Sequence, residues 1–352
     1  MAYILFTGGG SAGHVVPNLA VMEKLCGTHK LAYLGTGGIE SRLIGQAGYP
    51  FFRVDCPKLI RSATPKNLLI PFRLIKACSE AKEILLKERP DLVFSKGGYA
   101  SFPAVKAAQT LGIPVLTHES DLSAGLCTKL IAKKCKAVLT SFPETAKRFP
   151  NGIYVGPPVR AELYSGDRAR GLQKYRLRGN KPVLLVLGGG SGSRTVNEAV
   201  RKNLGHLLPT FDILHLCGKG NVLPVQAEGY VQSEYESDMR DAYACADFVL
   251  SRAGSNTVFE ILLLKKRALL IPLVRGSRGD QAENAAYFKE KGLCRVLPET
   301  ELSRLPEALA ALSRDNALKK ALESCPIGDG TEKIAELIVR TAEHTQPRGT
   351  RS

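Results

Sequence analysis

The chain has 352 residues, with 49 Lys and Arg against 33 Asp and Glu. The resulting formal charge of +16 favours anionic ligands or an anionic surface and says nothing about fold. Hydrophobic residues at 44% and charged residues at 23% describe a globular chain long enough for two domains, each with its own core. No apolar run reaches the roughly 18 residues of a membrane span, and no homeodomain, zinc-finger or RNA-recognition signature accompanies the charge, so nucleic acid is not an expected partner.

The first segment, Tyr3-Ile4-Leu5-Phe6-Thr7, reads as a buried parallel strand and leaves no room for a signal peptide. It runs into Gly8-Gly9-Gly10-Ser11-Ala12-Gly13-His14, after which Leu19, Ala20, Met22 and Leu25 recur at helical spacing. Strand, glycine loop and helix together bring backbone N–H groups to a phosphate or sugar. His14 is the unusual member, because a nucleotide loop needs no histidine, whereas removing a proton from a hydroxyl does.

Further strands are predicted at Leu31–Gly35, Asp91–Ser95, Val115–Thr117, Ala137–Thr140 and Ile153–Val155. Between them, Lys58 to Lys76 interleaves Lys58, Arg61, Lys66, Arg73 and Lys76 with Leu68, Leu69, Ile70, Phe72, Leu74 and Ile75. That pattern suits an anionic membrane surface, and equally the amphipathic helix of a core. The stretch from Ser165 to Lys181 reads as a linker with a loose helix. The pattern then restarts: Val183–Leu187 leads into Gly188-Gly189-Gly190-Ser191-Gly192-Ser193-Arg194 and another helix.

A second echo matches Asp91-Leu-Val-Phe-Ser95-Lys96-Gly97-Gly98 to Asp247-Phe-Val-Leu-Ser251-Arg252-Ala253-Gly254. Alternating strands and helices with paired loops predict an α/β chain of two Rossmann-like domains facing a cleft. The expected division is 1–160, 161–330, a C-terminal helix over 331–345 returning to the first domain, and a disordered tail over 346–352. Nine cysteines without CxxC spacing read as reduced thiols, and no Asp-x-Asp is present, so neither a metal nor another cofactor is expected.

Six motifs occur in order: the loop ending in His14, His118-Glu119-Ser120-Asp121 with Gly125, Gly156-Pro157-Pro158-Val159-Arg160, the Gly188–Arg194 loop, Ser251–Glu260, and Asp280-Gln281 with Asn284. Together they resemble the MurG family of peptidoglycan-synthesising N-acetylglucosaminyltransferases. The resemblance implies the GT-B fold and inverting transfer of N-acetylglucosamine from UDP-N-acetylglucosamine to a lipid-linked muramyl-pentapeptide. It also implies a peripheral protein at the cytoplasmic face of the cell membrane. Alternatives that stay open are a GT-B enzyme glycosylating diacylglycerol, a UDP-sugar epimerase, and a nucleotide-sugar-binding protein without catalysis.

On that resemblance His14 is the general base, with Glu119 its rival or helper. Ser11, Ala12, Gly13 and Asp121 border the substrate, and Arg160 binds phosphate oxygens bidentately. Gly190 and Ser191 belong to the second loop. Ser255, Asn256 and Thr257 open a helix whose N-terminus, with about half a positive charge, faces the UDP diphosphate. Glu260 takes the ribose hydroxyls, Gln281 and Asn284 the sugar hydroxyls, and the backbone near Glu236 the uracil edge. The chain departs from the family's His-Glu-Gln-Asn at Ser120-Asp121 and from its Gly-Asn-Pro at Gly156-Pro157-Pro158. In the second glycine loop the family's usual serine falls on Gly190, with Ser191 one place later.

Overall fold

The structure, a computed structural model, describes residues 1–57, 70–274 and 278–344. The chain divides into two units: Met1–Arg160 together with Asp329–Ser352, and Ala161–Gly328.

The first unit is built on seven strands: β1 (Tyr3–Thr7), β2 (Lys30–Gly35), β3 (Phe51–Arg53), β4 (Leu92–Ser95), β5 (Val115–Glu119), β6 (Ala137–Thr140) and β7 (Gly152–Tyr154). All pair in parallel in the order β3-β2-β1-β4-β5-β6-β7. Helices α1 (Ala12–Leu25), α2 (Ile39–Gln46), α3 (Ile70–Glu88), α4 (Phe102–Leu111), α5 (Leu126–Ile131) and α6 (Pro143–Ala146) connect them. Strands covered on both faces lose the polar alternation of an exposed sheet. Accordingly Ile4 and Phe6 pack into one core with Val21, Phe94 and Leu139, while Leu5 and Val93 pack into another with Ala81, Ala104 and Val105.

The second unit repeats the plan with six strands: β8 (Val183–Leu187), β9 (Asp212–Leu216), β10 (Tyr230–Ser233), β11 (Phe248–Ser251), β12 (Arg267–Leu270) and β13 (Arg295–Val296). Their order is β10-β9-β8-β11-β12-β13, again all parallel. Its helices are α7 (Arg168–Lys174), α8 (Arg194–Lys202), α9 (Leu204–Leu207), α10 (Arg240–Cys245), α11 (Ser255–Leu263), α12 (Asp280–Glu290), α13 (Leu305–Ser313) and α14 (Asn316–Glu323). In both sheets the winding reverses beside the first strand, between β1 and β4 and between β8 and β11. Ligands of open α/β sheets bind at such switch points, beyond the carboxyl ends of the strands.

The internal echo has a physical meaning here. Asp91 Oδ2 accepts the Tyr3 N–H at 2.7 Å, and Asp247 Oδ2 accepts the Val183 N–H at 2.8 Å. Each aspartate therefore caps the first amide of the neighbouring strand. At the other end Lys96 N–H bonds Thr7 O at 2.8 Å and Arg252 N–H bonds Leu187 O at 3.3 Å. The two loops at each switch point thus start level with one another.

The stretch expected as a linker is folded into the second unit instead. Tyr175 and Leu177 are buried, and Arg170 of α7 forks onto both carboxylate oxygens of Asp241 at 2.7 Å. Its charges conceal a buried apolar edge, which is why it reads as solvated. Of the interleaved basic segment, Lys58, Arg61, Lys66, Leu68 and Leu69 lie outside the described residues, as does the tail beyond residue 344.

The last helix, α15 (Thr331–Glu343), belongs to the first unit. Ile334, Ala335, Ile338 and Ala342 fill the core that contains Ile4 and Phe6. Thr331 Oγ1 accepts the Val159 N–H at 2.9 Å and donates to Val159 O at 3.1 Å, fastening the start of the helix. Ile338→Ala is expected to destabilise the first unit by about 2–5 kcal/mol, seen as earlier urea unfolding. An unmoved transition would contradict this seat.

Candidate functional site

At the first switch point the backbone dictates the side chains. Tyr33 OH donates to Gly8 O at 2.6 Å and accepts from Asn18 Nδ2 at 3.1 Å, while Asn18 Nδ2 also reaches Thr7 O. These buried groups pin the loop to β2 and α1. The helix opens at Ala12, with Ser11 extended before it, so His14 lies in the first helical turn rather than at the end of a longer loop. Its Nδ1 lies 3.1 Å from the Lys96 carbonyl oxygen. A carbonyl only accepts, so Nδ1 carries the proton and a neutral ring keeps its lone pair on Nε2.

Gly98 makes this placement possible. Its φ of 79° and ψ of 162° fall in a region open essentially to glycine alone. A Cβ there would lie 2.5 Å from Gly9 O and 3.1 Å from His14 Nε2. A Cβ on Gly10 would in turn strike the Tyr99 ring. The loops after β1 and β4 therefore interlock, with the imidazole edge against Gly98.

Glu119, at the end of β5, is buried, and its carboxylate is taken up by the chain itself. Oε1 accepts from Asp121 N at 3.2 Å; Oε2 accepts from Gly125 N at 2.9 Å and Thr128 Oγ1 at 2.7 Å. Burial, and next the Asp121 charge, raise its affinity for a proton. Such a group organises the turn of residues 120–125 and the start of α5, while His14 is half-buried. Asp121 is half-buried on that turn, and Arg160 is half-buried at the end of the first stretch of this unit. Ser11 and Gly13 are exposed and Ala12 half-buried around His14.

Lys96 escapes a reading by motif alone. It is 2% exposed, donates to Ser120 Oγ, and burial lowers its pKa to about 8 against the upward pull of Glu119 and Asp121. His118, fully buried, is held neutral by burial and by the Lys96 charge, with Nε2 3.3 Å from Gly156 O.

The second unit carries a cavity of about 340 Å³ at its own switch point, lined among others by Gly188, Gly189, Ser193, Arg252, Thr257 and Gln281. Ser193 caps α8, accepting from Val196 N at 3.4 Å, and the buried Arg252 grips the same hydroxyl through Nε at 3.1 Å and Nη2 at 2.7 Å. Nη2 also reaches Glu299 at 2.6 Å. Gly190 and Ser191 are exposed on the loop above. Helix α11 begins at Ser255, as expected, with Ser255 buried and Asn256 and Thr257 half-buried.

Glu260 sits one turn on, its Oε2 accepting from Tyr243 OH at 3.0 Å. Gln281 holds the chain after β12, its Oε1 accepting from Leu273 N at 3.0 Å. Asn284, expected at sugar hydroxyls, is fully buried and donates to Ala253 O at 3.5 Å, which makes it a support of the Ser251–Gly254 turn. The Glu236 carboxylate accepts from Tyr175 OH and Lys174 Nζ, both at 2.7 Å, and from Asp238 N at 3.0 Å, which orders its loop. Lys96 lies outside the six motifs and is signalled by the echo of Ser-Lys-Gly-Gly with Ser-Arg-Ala-Gly, whereas Arg252 lies within the Ser251–Glu260 motif. Tyr33 and Asn18 had no signal.

Gly98→Ala tests the interlock. It is expected to cost about 1–3 kcal/mol in unfolding free energy and to displace the His14 ring, read as a changed imidazole titration by NMR. An unmoved His14 resonance would separate the two loops.

Comparison with known proteins agrees with this geometry. The glycosyltransferase family 28 N-terminal domain matches residues 4–140, and the family 28 C-terminal domain matches residues 183–338. The chain is 41% identical over 350 residues to the UDP-N-acetylglucosamine--N-acetylmuramyl-(pentapeptide) pyrophosphoryl-undecaprenol N-acetylglucosamine transferase of Clostridium perfringens (strain SM101 / Type A), covering 96% of this chain and 98% of that one. A Clostridium botulinum (strain Loch Maree / Type A3) protein of the same name is 41% identical over 349 residues, covering 96% and 99%. The crystal structure of Acinetobacter baumannii MurG superposes with a TM-score of 0.75 at 25% identity, over 96% of this chain and 99% of that one. Two Rossmann-like domains of the GT-B class are common to these matches and to the two sheets described here. The chain belongs to glycosyltransferase family 28.

Proposed function

We propose that the protein transfers N-acetylglucosamine from UDP-N-acetylglucosamine to an N-acetylmuramyl-(pentapeptide) pyrophosphoryl-undecaprenol, with inversion. Near full-length identity to transferases of that name carries the reading. It is favoured over a diacylglycerol glycosyltransferase or an epimerase by the same relatives. The first unit takes the acceptor and the second the donor.

In this mechanism the acceptor hydroxyl oxygen attacks the anomeric carbon on the face opposite the leaving UDP. Its proton passes to His14 Nε2, which carries the ring's lone pair because Nδ1–H is bonded to Lys96 O. The resulting imidazolium is held in place by that same bond. Charge developing on UDP is met by the start of α11. Thr257 and Gln281, which line the cavity of the second unit, face the donor. Glu260, oriented by Tyr243, takes the ribose hydroxyls.

His14→Ala is expected to lower turnover by about 10²–10⁴-fold while leaving UDP affinity nearly unchanged. Glu260→Ala is expected to weaken UDP binding. Calorimetric UDP titration of both variants, alongside transfer from labelled UDP-N-acetylglucosamine to the muramyl-pentapeptide lipid or to diacylglycerol, checks the division. Equal loss of UDP affinity in the two variants would abolish it, and labelling of diacylglycerol alone would replace the acceptor.

The polyprenol tail holds the acceptor in the bilayer, so the enzyme works peripherally, at the cytoplasmic face. No helix among the described residues is long and apolar enough to cross a membrane. Phe72 and Ile75 of α3 are 73% and 68% exposed, although the same helix buries Ala77, Ala81 and Leu85. Arg73 and Lys76 lie beside them, at 3.9 Å from Asp55 and Glu80 respectively. Large apolar groups turned to solvent beside cations are what an anionic lipid surface takes up, at about 1 kcal/mol per Lys or Arg. Reversing the charges of Arg73 and Lys76 should reduce co-sedimentation with anionic vesicles and activity on the full-length lipid, while a short-chain acceptor remains a substrate. Equal loss on both acceptors would leave α3 as an ordinary amphipathic helix.

A further inference from the structure

The proposed mechanism uses only the backbone carbonyl of Lys96, yet its side chain is the unusual feature of the first switch point. A lysine is almost never fully buried without a reason, because taking an ammonium out of water costs several kcal/mol. Here the side chain is 2% exposed and donates to Ser120 Oγ, a hydroxyl that does not neutralise it. Its stem runs behind the first glycine loop: a Cβ built on Gly8 would lie 3.1 Å from Lys96 Cβ. The charged and titratable groups facing it are His118 and Glu119 of β5, Asp121 of the turn that follows, and His14 of α1. Glu119 is occupied by three donors of its own turn. The buried His118 Nδ1 has no hydrogen-bond partner, so an acceptor lone pair lies unused at the same strand end.

The loop against the stem of this lysine has no side chain of its own between Gly8 and Gly10. A desolvated charge acts over several ångströms because little water screens it. We infer that Lys96 is a positioning residue for the anionic diphosphate of the acceptor: its buried ammonium, seated on Ser120 with its stem against Gly8, supplies a positive field at the first switch point and, through Ser120, sets the Ser120–Asp121 turn. The inference rests on the acceptor proposed above. It also accounts for Ser120 and Asp121 standing where the resembling family has two amides. A short hydroxyl leaves room for the ammonium, and a carboxylate two residues from Glu119 offsets its charge.

The test is the pH dependence of steady-state kinetics with the full-length chain and the diphospho-lipid acceptor. The free ammonium gives up its proton near pH 8, held down chiefly by burial. A bound anion favours the charged form. The acceptor KM is therefore expected to be level below about pH 8 and to rise above it by about tenfold in all, while the donor KM does not follow. His118 stays neutral throughout this range and contributes no break. Lys96→Met is expected to raise the acceptor KM about tenfold at pH 7 and to remove the break.

Ser120→Ala, which takes away the hydroxyl that accepts from the ammonium, is expected to move the break to lower pH. This variant keeps the inference testable if Lys96→Met fails to fold. An unshifted break in Ser120→Ala, an unchanged profile in Lys96→Met, or a parallel rise of both KM values would overturn the role of Lys96 and leave the acceptor standing. A wild-type protein that glycosylates no diphospho-lipid would overturn both.

Discussion

The hydrogen bond from His14 Nδ1 to the Lys96 carbonyl joins the first turn of α1 to the turn after β4. It requires that the ends of β1 and β4 be level, which the parallel register pairing Thr7 with Ser95 provides. It also requires that nothing stand between the imidazole and the chain at residue 98, which only glycine satisfies. From these two conditions follow the tautomer of the ring, the direction of its lone pair and the course of the first glycine loop. The buried Tyr33 and Asn18 act further back, holding Gly8 in place so that the ring has a fixed reference.

The two units solve the same problem with different cations. At the end of β4 a lysine is seated on Ser120; at the end of β11 an arginine is seated on Ser193. The guanidinium has several donors in a rigid plane, and Arg252 spends them on Ser193, the Ile271 carbonyl and Glu299. It is a strut that sets the start of α8 against the chain after β12. The ammonium is a compact point charge on a flexible stem, and Lys96 makes no comparable scaffold. One switch point is thus braced by its cation, and the other is charged by it.

Much of this was legible in the sequence, for reasons that differ by residue. Strands β1, β4, β8 and β11 are short unbroken apolar runs before glycine, and burial on both faces leaves no other pattern. The glycine loops are legible because close backbone approach admits no substitute. Strand β9 is harder to see because it carries Asp212 and His215, and His215 is buried between Tyr230 OH at 2.9 Å and Asn197 Oδ1 at 3.0 Å. Its partners lie far along the chain. Edge strands β3 and β13, of three and two residues, are too short to show a period. The engagement of Glu119 was hidden for the same reason as the burial of Lys96 and Asn284. Each depends on neighbours that only the folded chain brings near, whereas a motif records residue types alone.

The C-terminal helix gives the first unit a history as well as a shape. Its core holds residues from both ends of the chain, Ile4 and Phe6 with Ile334 and Ile338, and the second unit is synthesised in the interval. At roughly 5–20 residues per second, that interval lasts on the order of ten to thirty seconds on the ribosome. Throughout it the nascent sheet of the first unit lacks one of its covering helices, while the second unit, continuous in sequence, has all it needs to close. Order of completion therefore runs opposite to order of synthesis. The half-finished sheet is the species that chaperones would meet, and a ribosome stalled before Thr331 would leave a complete second unit joined to a first unit with an open face.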